Sequence, residues 1–127
     1  MPREWASFRP RSLPIITVRK GPRAIRALAD TGAQTSLIHP RLALQFGLPT
    51  IGDLSIVGVG SSVTRVARVR LTNLHVARLS LRSFDAGVVN LDNLRLGIDL
   101  ILGISAFEGY RLQFDFTQGH LYLLSEE

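Results

Sequence analysis

The sequence predicts an all-β domain: short strands closed into a barrel or sandwich, with one or two short helices. Two observations carry this. From Leu13 onward the chain is a series of β-rich runs broken by turn residues roughly every ten positions. Within Arg65-Val66-Ala67-Arg68-Val69-Arg70-Leu71, apolar residues alternate with arginine, the period of a strand with one solvated face. A length of 127 residues suits one compact domain with a single core.

In chain order, residues 1–13 contain Pro and Arg without a clear period and read as a flexible arm that leaves Trp5, Phe8 and Leu13 exposed. The domain proper is expected over 14–127. Its strands are expected at Ile15–Arg19, Ala24–Ala29, Ser55–Val57, Val63–Leu71, Val76–Leu81, Phe84–Val89, Arg111–Phe116 and His120–Leu124. Gly21-Pro22 marks a turn between the first two, and Thr117-Gln118-Gly119 separates the last two as a hairpin does. A helix is expected across 39–47, with Pro40 at its start, Gly47 just past its end and Pro49 beyond. A shorter helical turn over Ile104–Glu108 ends at Gly109.

Composition narrows the chemistry. The chain has no cysteine, which removes disulfides, thiolate metal sites and thiol nucleophiles. His39, His75 and His120 lie far apart without metal-ligand spacing, so no metal or other cofactor is expected and each reads as a surface or turn residue. Fourteen of the fifteen basic residues are Arg, giving a net charge of +5. They are spread along the strands rather than clustered with aromatics, so a charged sheet face is expected rather than a nucleic-acid surface. No apolar stretch approaches the roughly 20 residues needed to cross a bilayer. The start, Met1-Pro2-Arg3-Glu4-Trp5, lacks the apolar core of a signal peptide. A soluble chain is expected, cytoplasmic if these residues are the full length.

One tetrapeptide stands out, Asp30-Thr31-Gly32-Ala33, directly after the apolar run Ala27-Leu28-Ala29. Alone, it reads equally well as a turn opened by Asp. It does not stand alone. Seventy residues after Asp30 comes Leu100-Ile101-Leu102-Gly103, an apolar strand closed by glycine. Between them lies Val57-Gly58-Val59-Gly60-Ser61-Ser62, a glycine-rich hairpin tip. In this order and spacing, together with Ser36-Leu37-Ile38, Pro40-Arg41-Leu42-Ala43 and the closing Phe114-Asp115-Phe116…Leu121-Tyr122-Leu123, the chain resembles the retropepsin-like aspartic proteases.

That resemblance implies a retropepsin-like barrel and an aspartic endopeptidase acting on extended polypeptides. Metal-free amide hydrolysis can be driven by two carboxylates about 3 Å apart that share one proton. This sequence carries one such motif: Asp53, Asp85, Asp92, Asp99 and Asp115 are not followed by Thr/Ser-Gly. The second carboxylate is therefore expected from a second copy, in a homodimer obligate for activity. By resemblance, Asp30, Thr31 and Gly32 are the catalytic set. Leu28, Ala33, Gln34, Gly58, Val59, Gly60 and Ile101 contact substrate, the three between 58 and 60 as a flap, and Gly103 packs behind the catalytic loop.

Two positions depart from the family. Gln34 stands where viral members commonly have an acid, and Ile104-Ser105 replaces a usual polar linker. Ala33 stands where some aspartic proteases place a hydroxyl, so a working pH nearer neutral than pepsin's is expected. Asp99 reads as structural or rim-located. The alternative use of the same fold is a catalytically weak dimerisation or binding module.

Overall fold

A computed structural model describes residues 3–57 and 62–125. Among the described residues twelve strands form two sheets. The smaller is built from β1 (Arg3–Ser7), β11 (Tyr110–Asp115) and β12 (His120–Ser125), in the order β1-β12-β11. The larger contains β2 (Ile15–Lys20), β3 (Arg23–Ala29), β4 (Ser36–Ile38), β5 (Gly52–Val57), β6 (Val63–Leu71), β7 (His75–Val76), β8 (Leu79–Ser80), β9 (Phe84–Val88) and β10 (Leu100–Leu102). Its order is β5-β6-β9-β4-β10-β3-β2-β7-β8. The all-β reading from sequence holds.

Alternation along each strand decides which face is buried. On the larger sheet Ile16, Val18, Ala27, Ile38, Val69, Leu71, Ala86, Leu100 and Leu102 are buried in the main core. Leu121 and Leu123 from β12 join the same core. At roughly 1.5–3 kcal/mol for each fully buried large aliphatic side chain, this layer is the main source of cohesion. Among the arginines of β6, Arg70 lies on the exposed face and pairs with Asp85 at 2.9 Å, while Arg65 pairs with Asp53 at 2.9 Å.

The N-terminal segment is a correction to the sequence reading. Residues 3–7 are not an arm but an edge strand, paired with β12 from Arg3↔Leu124 to Ser7↔His120. Ala6 and Phe8 alternate into the core, and the Phe8 N–H donates to Gly119 O at 2.8 Å. Prolines and arginines flank this short alternation, which is why it carries little signal on its own. The expected strand at Val76–Leu81 is also different. It is a two-residue hairpin, β7 against β8, because Ala77 turns the chain with φ 54°.

The helix α1 (Pro40–Gln45) forms where expected. His39 is its N-cap: Nδ1 accepts from the Arg41 N–H at 3.0 Å. His39 is buried, not a surface residue as its spacing suggested, and a ring acceptor can replace the usual Ser or Asp cap. Its Nε2 lies 3.1 Å from Asp92 Oδ1, but the direction falls outside hydrogen-bond geometry. Among the described residues no helix is long and apolar enough to cross a membrane.

Candidate active site

The site grows from three short strands at the middle of the larger sheet. β10 runs parallel to β3, with Ile101↔Leu28 and Leu102↔Ala29 in register, and antiparallel to β4, with Ile101↔Leu37. Extending the register across β4, β9 and β6 gives one row: Ile15, Leu28, Ile101, Leu37, Gly87, Arg68. Paired residues share a face. This row is opposite the main core, and its apolar members form a separate cluster with Leu91 and Ile98.

Asp30 follows the last residue of β3. The Asp30 N–H donates to Leu102 O at 2.9 Å, so the ladder with β10 continues one residue into the loop. Asp30 Oδ1 accepts from the Gly32 N–H at 3.0 Å, and Asp30 O accepts from Ala33 N–H at 3.2 Å. These bonds make a tight turn that fixes the carboxylate. A Cβ at Gly32 would stand 3.2 Å from Asp30 Oδ1, so the missing side chain keeps that oxygen open. Among the described residues Asp30 forms no ion pair, whereas Asp53, Asp85, Asp92 and Asp99 each face an arginine.

The loop is held from behind by the segment after β10. Ile104 N–H donates to Ala33 O at 2.8 Å and Ser105 N–H to Gln34 O at 3.3 Å. These two residues open a short 3-10 turn, Ile104–Phe107, where a short helical turn was expected over Ile104–Glu108. At its entry the Gly103 N–H donates to Ser36 Oγ at 3.0 Å, and Ser36 Oγ lies 3.2 Å from Ser105 Oγ. Ser36 is fully buried. The polar link between loop and turn, which Ile104-Ser105 put in doubt at the sequence level, is therefore present but made by two serines. Sequence reasoning missed Ser36 as a supporting residue. Its only signal is a lone hydroxyl heading an apolar strand.

The other expected site residues distribute unevenly. Leu28, Asp30 and Thr31 line one cavity of about 480 Å³, together with Leu13, Pro14, Phe114 and Phe116. Ile101 lies buried beneath, paired with Leu28. Among the described residues no second carboxylate lines this cavity. Gln34 is not brought to it. Instead, Gln34 and Thr35 line a larger, more polar cavity of about 580 Å³ with Arg70, Asp85 and Glu108. The larger space lies away from the carboxylate, so the smaller one is the better candidate for chemistry. Ala33 presents its carbonyl to the 3-10 turn. Gly58, Val59 and Gly60 lie outside the described residues. Up to that point β5 and β6 pair as a hairpin from Gly52↔Arg68 to Val57↔Val63, and Val66 and Ile56 rest over Gly87.

Asp99 is structural, as expected. Its N–H donates to Arg26 O, its carbonyl accepts from His39 N–H, and its carboxylate meets Arg41 at 3.1 Å. Among the described residues no group of His, Asp or Glu is arranged to hold a metal ion.

The fold is that of the retropepsin-like aspartic proteases. Similar solved structures are a retropepsin-like aspartic protease from Rickettsia conorii and the retroviral protease-like domain of Ddi1 from Leishmania major. The first matches with TM-score 0.62 and 17% identity, over 96% of this chain and 89% of that one. The second matches with TM-score 0.59 and 17% identity, over 91% of this chain and 95% of the other. A model of the aspartyl protease family matches residues 16–106, so the chain belongs to that family. No curated protein matches the sequence significantly.

Proposed function

We propose that this chain is an aspartic endopeptidase whose active site is completed by a second copy, each contributing Asp30. The observation that carries the reading is the Asp30 carboxylate itself. Among the described residues it has no cation partner and is the one acid lining its apolar cavity, and it is fixed at the end of a central strand.

In this reading two Asp30 carboxylates share one proton, because like charges so close cannot both ionise. The protonated one polarises the scissile carbonyl, while the ionised one takes a proton from water as its oxygen attacks the carbonyl carbon. The tetrahedral intermediate collapses with a proton passing to the leaving nitrogen. That breaks the C–N bond and returns the pair to its starting state. Thr31 holds the two loops together across the twofold axis, and Gly32 lets the substrate backbone approach. Leu28 and Ile101 form the apolar wall for a substrate side chain. The hairpin tip with Gly58, Val59 and Gly60 closes over the extended peptide and excludes water.

The test is incubation of the wild-type chain and Asp30→Asn with a mixed peptide library from acidic to neutral pH, read by mass spectrometry. Cleavage by the wild type alone, between mostly apolar residues, is the expected result. Equal cleavage by both would assign the activity to another site. A stable dimer that cleaves nothing would favour a binding module.

A further inference from the structure

Four cations converge at one end of the larger sheet, away from the Asp30 loop. A cavity of about 270 Å³ lies between the start of β3, helix α1 and the segment before β10. Arg23, Arg26, Arg41, Gln45, Gly97 and Asp99 are among its lining residues. Lys20 is close by: its Nζ is 5.5 Å from the centre of the Phe46 ring, and the Arg23 guanidinium is 5.9 Å from the same centre. Arg26 precedes Asp30 by four residues of extended chain, so roughly 13 Å separates it from the carboxylate.

The charges at this cavity do not balance. Two acids face the four cations, and Arg41 serves both, Asp99 at 3.1 Å and Asp92 at 3.8 Å. Asp92 is shared further with His39 at 3.1 Å. Lys20, Arg23 and Arg26 pair with no acid among the described residues. Arg26 donates its Nε–H to Gly97 O at 3.1 Å, and its two amino groups make no hydrogen bond among the described residues. On β6, by contrast, Arg65, Arg68 and Arg70 each find an aspartate. Cations gathered this closely repel one another, and a bound anion relieves that repulsion.

We infer that this cavity is a binding site for a small phosphate-bearing anion, held by the guanidinium groups of Arg23, Arg26 and Arg41 beside the Gln45 amide. A guanidinium fork matches two oxygens of a phosphate at once. A phosphate group carries nearly two charges and three strong acceptor oxygens, so it serves three forks better than a carboxylate does. The cavity is just smaller than the roughly 300–1,000 Å³ usual for drug-sized ligands, which favours one or two phosphate groups over a bulky molecule. The inference goes beyond the protease reading and does not depend on it. The two sites share one connection. Arg26 holds Gly97 O with its side chain, and its own carbonyl accepts from the Asp99 N–H at 3.2 Å. The anion is thus set on the residue that ties the segment before β10 to β3.

Isothermal titration calorimetry of the full chain tests the site, with pyrophosphate, inorganic phosphate and a nucleoside triphosphate as separate arms at one low ionic strength. Arg23→Gln and Arg26→Gln are compared with Arg78→Gln, an exposed arginine of the β7–β8 turn whose loss changes the net charge equally. The expected result is saturable one-to-one binding of pyrophosphate, weakened about tenfold or more by either site variant and unchanged by Arg78→Gln. Arg23 makes no hydrogen bond among the described residues, so Arg23→Gln keeps the fold even if Arg26→Gln loosens it, and thermal melts check both. Tighter binding of the triphosphate, lost in the same variants, upholds the site and makes its ligand a nucleotide. Equal or weaker binding of the triphosphate upholds it for the inorganic anion. No saturable binding by the wild type would overturn the inference. So would equal losses in all three variants, since these leave only the general attraction of a basic protein for anions.

Discussion

Gly103 stands so close to Ala33 that a Cβ on it would lie 2.6 Å from the Ala33 carbonyl oxygen and 2.9 Å from that of Thr35. Both neighbours are backbone, so neither can swing aside. A glycine at the end of β10 is therefore a condition for the Asp30 loop to lie where it does.

Gly103→Ala must push the loop or β10 outward. A cost of about 1–3 kcal/mol is expected, the range for overpacking a tight interior. Thermal melts should show the loss, and peptide turnover should fall further than stability, because the displaced segment carries the carboxylate.

Ser36→Ala leaves the buried Gly103 N–H without its acceptor. A loss of about 1–3 kcal/mol is expected for one stranded buried donor. Ser36→Thr, which keeps a hydroxyl, should retain part of what Ser36→Ala loses. Denaturant midpoints measured at constant slope give the comparison.

If two Asp30 carboxylates act together, peptide turnover should follow a bell-shaped pH profile, since both the fully protonated and the fully ionised pair are inactive. Ala33→Ser adds a hydroxyl able to donate to the ionised form and should move the acid limb to lower pH. An unmoved limb would show that position 33 does not reach the carboxylate.

Truncating Leu121 or Leu123, both fully buried on β12, should cost about 2–5 kcal/mol. The same change at exposed Leu44 on α1 should cost little. The contrast tests whether the smaller sheet is part of the main core rather than an appendage.

Periodicity made most strands legible because one face of each is buried and the other is wet. The failures have physical causes. The run Trp5-Ala6-Ser7-Phe8 is too short between prolines and arginines to register as a strand, and only its pairing with β12 makes it one. The turn at Ala77 has no turn-forming residue to announce it, since the positive φ of 54° falls on an alanine. At the candidate site, Asp30-Thr31-Gly32 and Leu102-Gly103 stood out in the sequence through their residue types and spacing. The Ser36–Ser105 link did not, since residues so far apart in sequence meet only after β4 and β10 pair. Phe114 and Phe116 looked like ordinary strand residues until the fold set them beside Asp30.

The Asp30 amide donates to Leu102 O, and every residue of β10 is buried between β3 and β4. Such an amide can meet solvent only when the central sheet itself comes apart. Hydrogen exchange there should run at the rate of whole-molecule opening, unlike most loops, which fray well before a protein unfolds. On that expectation the carboxylate should be carried by one of the last parts of the molecule to yield. A slow thermal ramp should find active-site geometry and cooperative unfolding lost together, with no earlier softening of the site.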